Sequence, residues 1–319
     1  MEERSMKISI LEPIGISSEQ LQSIFYKRLT EELEIVISEN RPQNIGELER
    51  LVNGAEIVVI ANMPFPKEVI MRCHKLRMIS VAFTGVDHID LDYCHSRGIT
   101  VCNTPGYSTH AVSELVFGLA LSLCRNIPQC DGLVRSGAYK SPMTGSELYG
   151  KKFGVIGMGE IGRRVADLAA AFGCDVYGYS RTIHEKSKAK YVPLEKLLSI
   201  CDIVSIHVPL KRDTLGFIGM DQLRLMKPNS VIINTSRGGV IDSAALAELL
   251  KDGRIAGAGA DVFDAEPPLD CKDPLLGAPN TVLTPHIAYS TIEALTTRAE
   301  IVADNIAAFI DRYPQNKCC

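Results

Sequence analysis

The chain has 319 residues, of which 46% are apolar and 23% charged, and its formal net charge is −4. That length suits two domains of ordinary size, and the composition excludes a disordered chain. A net negative charge argues against a nucleic-acid partner, which needs a basic surface, but leaves room for a small anion held by a few placed arginines.

The first residues, Met1-Glu2-Glu3-Arg4-Ser5-Met6-Lys7, contain no apolar signal core, so a cytoplasmic protein without a membrane partner is expected. Residues 7–11 read as a strand and 19–28 have helical spacing. Further β-branched runs fall at 35–38, 56–60, 78–82 and 99–102, with helical stretches at 45–51, 67–73 and 91–97 between them. Strands alternating with helices imply parallel pairing and a doubly wound sheet. A long helix is predicted over 109–126. Its apolar stretch, 115–124, is interrupted by Gly118 and Ser122 and reads as buried. A second helix follows over 128–136. From about residue 151 the alternation restarts, with strands at 152–156, 175–179, 203–208, 231–234, 256–260 and 281–283. Helices are predicted at 161–172, 194–199, 243–251 and 292–310. Two such runs with a break between them predict an α/β protein of two doubly wound parallel-sheet domains.

Ten cysteines in a chain of this length without a signal peptide read as reduced thiols. No pair has metal-ligand spacing, so no metal is expected. Cys318-Cys319 reads as a frayed tail, since prenylation needs a cysteine four from the end.

The strongest motif is Gly157-Met158-Gly159-Glu160-Ile161-Gly162, placed after the apolar run Phe153-Gly154-Val155-Ile156 and at the opening of a helix. Gly157 would permit a tight turn, Gly159 a close approach of the backbone to a pyrophosphate, and Gly162 tight helix–strand packing. The phosphates would then sit at the helix N-terminus. The next strand ends in Ser180-Arg181-Thr182, where an NAD site would place a carboxylate for the ribose 2′-OH. Arg181 could pair with a 2′-phosphate, and Ser180 and Thr182 could donate to it, so NADP(H) is expected over NAD.

Three later stretches carry chemistry: Asn234-Thr235-Ser236-Arg237-Gly238-Gly239, Asp261-Val262-Phe263-Asp264-Ala265-Glu266, and Thr284-Pro285-His286-Ile287-Ala288-Tyr289. Reduction of a 2-keto acid needs a cation on the carboxylate, a proton donor for the oxygen, and a group that keeps the donor charged. Arg237, His286 and Glu266 are those three types, each following a strand-like run.

In these stretches the chain resembles the D-isomer-specific 2-hydroxyacid dehydrogenases. The likeness extends to Phe83-Thr84-Gly85-Val86-Asp87-His88-Ile89-Asp90, Asn103-Thr104-Pro105-Gly106 and His207-Val208-Pro209, and so to nearly the whole chain. It implies that Arg237, Glu266 and His286 are catalytic and that Asp261 binds the nicotinamide carboxamide. Thr84 and Gly85 would bind the substrate carboxylate, with Thr84 also facing the cofactor. Thr109 would lie near the cofactor phosphates, and Val208, Thr235, Ser236 and His286 near the nicotinamide. His207 would be a wall of that site. The resemblance further implies a flavodoxin-like substrate domain (1–103 plus 287–319), a Rossmann cofactor domain (104–286) and a homodimer.

The expected activity is hydride transfer between NAD(P)H and a small 2-keto or 2-hydroxy acid of D configuration, with hydroxypyruvate or glyoxylate foremost. Glu266 argues against formate, whose dehydrogenases in this superfamily carry Gln there. The alternatives are D-3-phosphoglycerate dehydrogenase, a corepressor-like NAD(P)H sensor, and an inactive Rossmann protein.

Overall fold

In the computed structural model, which describes residues 5–29, 33–140, 143–265 and 269–319, the short β-branched runs of the first hundred residues form one parallel sheet. Its elements are β1 (Met6–Ile10), α1 (Ser18–Arg28), β2 (Leu33–Ile37), α2 (Ile45–Val52), β3 (Ile57–Ile60), α3 (Lys67–Arg72), β4 (Met78–Val81), α4 (Leu91–Ser96) and β5 (Thr100–Cys102). The strand order is β2-β1-β3-β4-β5, the flavodoxin-like doubly wound order. Helices start where a side chain can take an orphan N–H. Ser17 and Gln20 form a capping box for α1, Asn44 caps α2 and Asp90 caps α4. The fully buried runs β3 and β4 lie inside the sheet, as their unbroken apolar sequences require.

A second sheet begins after α5 (Thr109–Cys124) and α6 (Ile127–Arg135). The elements are β6 (Lys152–Ile156), α7 (Glu160–Ala171), β7 (Asp175–Tyr179), β8 (Lys190–Tyr191), α8 (Leu194–Ile200), β9 (Ile203–Ile206), α9 (Met220–Arg224), β10 (Val231–Asn234), α10 (Ser243–Lys251), β11 (Gly257–Ala260) and β12 (Thr281–Leu283). The order is β12-β11-β10-β9-β6-β7-β8, with every pairing parallel. This is the Rossmann order, reversing between β6 and β9. The sequence-predicted 109–126 helix is α5, buried through Ala111, Val116, Phe117, Leu119 and Ala120. Among the described residues no single helix is long and apolar enough to cross a membrane.

The chain closes with α11 (Ile292–Ile310), whose Ala299, Val302, Ala303 and Ile306 share a core with Ile8, Ile10, Ile57 and Val59 of the first sheet and Phe25 of α1. The structure accordingly divides into two units: Met1–Ser108 with Ser290–Cys319, and Thr109–Tyr289.

Two readings of the sequence change. The two-residue strand β8 and the five-residue helix α9 were not predicted, being too short to show a period. The tail is not frayed. β5 is an edge strand with unpaired backbone groups, and the tail satisfies them. Asn103 N donates to Asn316 O at 3.1 Å, Cys318 N to Val101 O at 2.7 Å, and Val101 N to Cys319 O at 3.3 Å. All ten cysteines are free thiols.

Candidate active site

The glycine turn joins β6 to α7 at the point where the second sheet reverses. Gly157 has φ +93° and accepts no Cβ, which would lie 2.5 Å from the His207 carbonyl oxygen. Its N–H donates to Tyr179 O at 2.8 Å, while His207 N donates to Ile156 O at 2.7 Å. A Cβ on Gly162 would overlap the Gly157 carbonyl oxygen. At Gly159 the case differs: its φ is −69° and a Cβ there would meet no protein atom within 4 Å. The fold itself does not demand glycine at that position. A ligand backed against the turn would. No side chain caps α7 at Gly159, so the first-turn N–H groups have no partner in the helix. This cradle fits a dinucleotide pyrophosphate.

At the end of β7, Ser180 is half-buried and Arg181 exposed. Arg181 Nη1 lies 3.2 Å from Asp213 Oδ2. Sequence reading missed this carboxylate, because Asp213 comes from the segment after β9. Arg163, Arg164, His184 and Lys186 line a cleft of about 340 Å³, together with Glu160, Asp167 and Ser187.

Arg237 sits in a turn that Asn234, the last residue of β10, organises. The Asn234 Oδ1 accepts from Ser236 N at 3.0 Å and Ser236 Oγ at 2.8 Å, and its Nδ2 donates to Arg237 O at 2.9 Å. Arg237 Nη1 donates to Ser236 O at 2.8 Å. A Cβ on Gly238 would overlap Phe263 and Asp264 backbone, so glycine there lets the segment after β11 pass against the Arg237 turn. Glu266 lies outside the described residues. Among the described residues, Thr235 Oγ1 is buried with no hydrogen-bond partner at this same strand end.

His286 is half-buried in a left-handed conformation, φ +54°, unusual for a residue with a Cβ. Asp261 holds it there. Asp261 O accepts from His286 N at 2.8 Å. The wholly buried carboxylate accepts from Thr284 Oγ1 at 2.5 Å, Ile287 N at 2.9 Å and Ala288 N at 2.8 Å. Burial pushes its pKa above the usual range, against the pull of these donors and of His286. The His286 ring meets Tyr289 edge-on at 5.6 Å. The second unit thus carries the glycine turn, Val208, the Thr235–Arg237 turn, Asp261 and His286, all following its strands. Thr109 stands at the start of α5.

Thr84 and Gly85 follow β4 in the first unit. Asn103 Nδ2 donates to Thr84 O at 2.8 Å, and Thr84 Oγ1 to Thr104 O at 3.2 Å. His207 makes a 2.8 Å contact from Nε2 to Ser205 Oγ, and burial pushes its pKa down to about 3. That removes it from proton transfer near neutral pH and leaves it a packing role. Among the described residues no cluster could hold a metal ion.

A Rossmann sheet with this glycine cradle is the architecture of a dinucleotide-binding protein. The model of the D-isomer specific 2-hydroxyacid dehydrogenase NAD binding domain matches residues 117–288. A glyoxylate reductase of Thermococcus litoralis is 41% identical over 274 residues, 82% of either chain. An acyclic imino acid reductase solved with NADPH and D-Arg superposes with TM-score 0.90 at 31% identity, covering 98% of this chain and 100% of that one. The D-lactate dehydrogenase of Aquifex aeolicus, solved with NAD and lactic acid, gives 0.84 at 29% identity and 96% coverage of each. The chain belongs to the D-isomer specific 2-hydroxyacid dehydrogenase family. It is an NAD(P)-dependent oxidoreductase acting on the CH–OH group of a small hydroxy acid.

Proposed function

We propose that the enzyme reduces glyoxylate or hydroxypyruvate with NADPH. The observation that carries the chemistry is the His286 turn, clamped on a buried carboxylate at the carboxyl edge of the Rossmann sheet, where such sheets hold their ligands. The choice of acid rests on the glyoxylate reductase relative. Arg237 takes the substrate carboxylate in a two-pronged grip and polarises the keto group. His286 gives its proton to the keto oxygen, and Glu266 completes the catalytic set that the family resemblance implies. Thr84 and Gly85 offer backbone N–H groups to the carboxylate. The reduced nicotinamide, when bound, supplies the hydride. Asp261 serves the nicotinamide carboxamide in the family's pattern, and here it also holds the His286 turn.

The preference for NADPH rests on Ser180, Arg181 and Thr182, and on the cations of the neighbouring cleft. An exposed pair such as Arg181–Asp213 contributes only about 0–1 kcal/mol. A 2′-phosphate, carrying roughly −1.5 to −2 charges, displaces Asp213. The enzyme works as a homodimer in a reducing cytoplasm. The exposed Val134 and Tyr139, 68% and 97% accessible, offer an apolar contact, and ten free thiols fit that compartment.

The test follows absorbance of NADPH with a panel of 2-keto acids. Oxidation with glyoxylate or hydroxypyruvate, abolished in His286→Ala, is expected. Tight cofactor binding without any turnover would identify a sensor instead. Arg181→Ala should move the kcat/KM ratio toward NADH; an unmoved ratio rejects the NADP preference. Sedimentation velocity reads the dimer.

A further inference from the structure

The first sheet reverses direction between β1 and β3, and open α/β sheets bind ligands beyond the carboxyl ends of their strands at such a point. In this unit that point holds a buried charge. Glu12, two residues past β1, is 1% exposed. Its Oε1 accepts from the backbone N–H groups of Ala61 at 2.7 Å and Met63 at 2.9 Å. Its Oε2 accepts from Arg41 Nε at 2.7 Å. Arg41 arrives from the segment between β2 and α2, and its Nη2 donates to the Asn62 side-chain oxygen.

An ion pair with only its carboxylate buried is a poor device for stability, because desolvating Glu12 cancels much of its attraction to a part-exposed Arg41. What this pair does is geometric. Glu12 bends residues 61–63 around one carboxylate, and Arg41 fixes the rotamer of Asn62. The same segment is tied at its other end, where Phe65 pairs with Ile89 in a parallel bridge. Ile89 closes the stretch that starts at Thr84 and Gly85, its N–H donating to Val86 O at 3.0 Å. The segment carrying Asn62 and Met63 is therefore anchored both to a buried carboxylate and, through Phe65 and Ile89, to the stretch that begins at Thr84 and Gly85.

We propose that Glu12 and Arg41 are positioning residues for substrate selection: they fix Asn62 and Met63 as the wall against which the side chain of the keto acid is measured. This rests on the reading of Thr84 and Gly85 as substrate-binding. A clamp on that wall affects how the substrate is held and leaves proton transfer and cofactor binding alone. Arg41, with a side chain 40% exposed, is the variant to make, because its loss need not unfold the unit.

The experiment measures kcat and KM for glyoxylate, hydroxypyruvate and a five- or six-carbon 2-keto acid, with NADPH, in the wild type, Arg41→Ala, Arg41→Lys and Asn62→Ala. In Arg41→Ala the substrate KM should rise about tenfold, with kcat and the NADPH KM within roughly twofold. Discrimination between glyoxylate and the longer acid should fall by roughly fivefold. Asn62→Ala should reproduce the lost discrimination, and Arg41→Lys should restore part of it. Unchanged substrate KM and discrimination in Arg41→Ala, with only a lower melting temperature, overturns the proposal. So does a parallel loss of NADPH affinity. A wild type that turns over no keto acid overturns the functional reading itself, and the two failures are told apart before any variant is assayed.

Discussion

Two turns at the carboxyl edge of the Rossmann sheet are built by opposite means. The glycine turn, residues 157–162, is shaped by missing side chains: Gly157 and Gly162 stand where a Cβ would strike the backbone. The turn at 284–288 is shaped by a side chain that is present, Asp261, whose carboxylate gathers three donors around a left-handed His286. A non-glycine residue in that conformation costs of order 1–2 kcal/mol, which the Asp261 contacts offset. The first turn can be read from spacing alone. The second depends on partners 23 to 27 residues apart in sequence.

The largest expected effect tests the second means. In Asp261→Ala the Thr284 hydroxyl and the amides of Ile287 and Ala288 lose their acceptor, so the turn that carries His286 keeps only its backbone bond to residue 261. kcat should fall by roughly 10²–10³, approaching the effect of His286→Ala, which removes the proposed general acid, a role worth about 10²–10⁴. Steady-state rates decide it: a kcat within threefold of wild type would mean that the turn holds itself.

The glycine turn makes a sharper contrast within itself. Gly162→Ala forces a Cβ onto the Gly157 carbonyl and should cost about 3 kcal/mol of stability in urea unfolding. Gly159→Ala meets open space. It should leave stability within about 0.5 kcal/mol while raising the NADPH KM, because only a ligand occupies the room it takes. Equal stability losses in the two variants would show that both glycines serve packing.

This contrast marks how far the sequence could be read. Element type and order were legible because β-branched runs of four or five residues alternate with helical stretches that carry caps. The roles of Gly157 and Gly162 were legible because the motif is local. Asn234 was not singled out, since an Asn at a strand end has no signature until the turn folds back on it. Nor was Asp213 opposite Arg181, because that pair bridges 32 residues. The paired tail was missed for the same reason: edge pairing of β5 with residues 316–319 is a tertiary fact with no periodicity to announce it.

Asn234 gives the next effect in size. Replacing it with Ala removes three hydrogen bonds around Ser236 and Arg237, worth about 3 kcal/mol together at the usual net value per bond. The loss should appear both in urea unfolding and as a raised substrate KM, since the Arg237 turn loosens. A change in stability with the KM untouched would place the substrate grip elsewhere.

The smallest effect joins the two means of building. His207 supplies the carbonyl that Gly157 packs against, while its ring is kept neutral by burial, with a pKa near 3. An unfolded histidine titrates near 6.5. The folded value is depressed, so this contribution to stability is complete above about pH 6.5 and is lost as pH falls toward 3. At pH 5.5 the unfolded chain has taken up the proton and the folded one has not, a loss of at most about 1.4 kcal/mol. His207→Gln keeps a polar group within reach of Ser205 and removes the titration. Wild type should therefore lose stability relative to this variant between pH 7 and 5.5, while NADPH affinity stays level, because the folded ring is still neutral there. Parallel pH profiles for the two proteins would mean that the ring takes up its proton in place, and that the turn above it rests on the backbone alone.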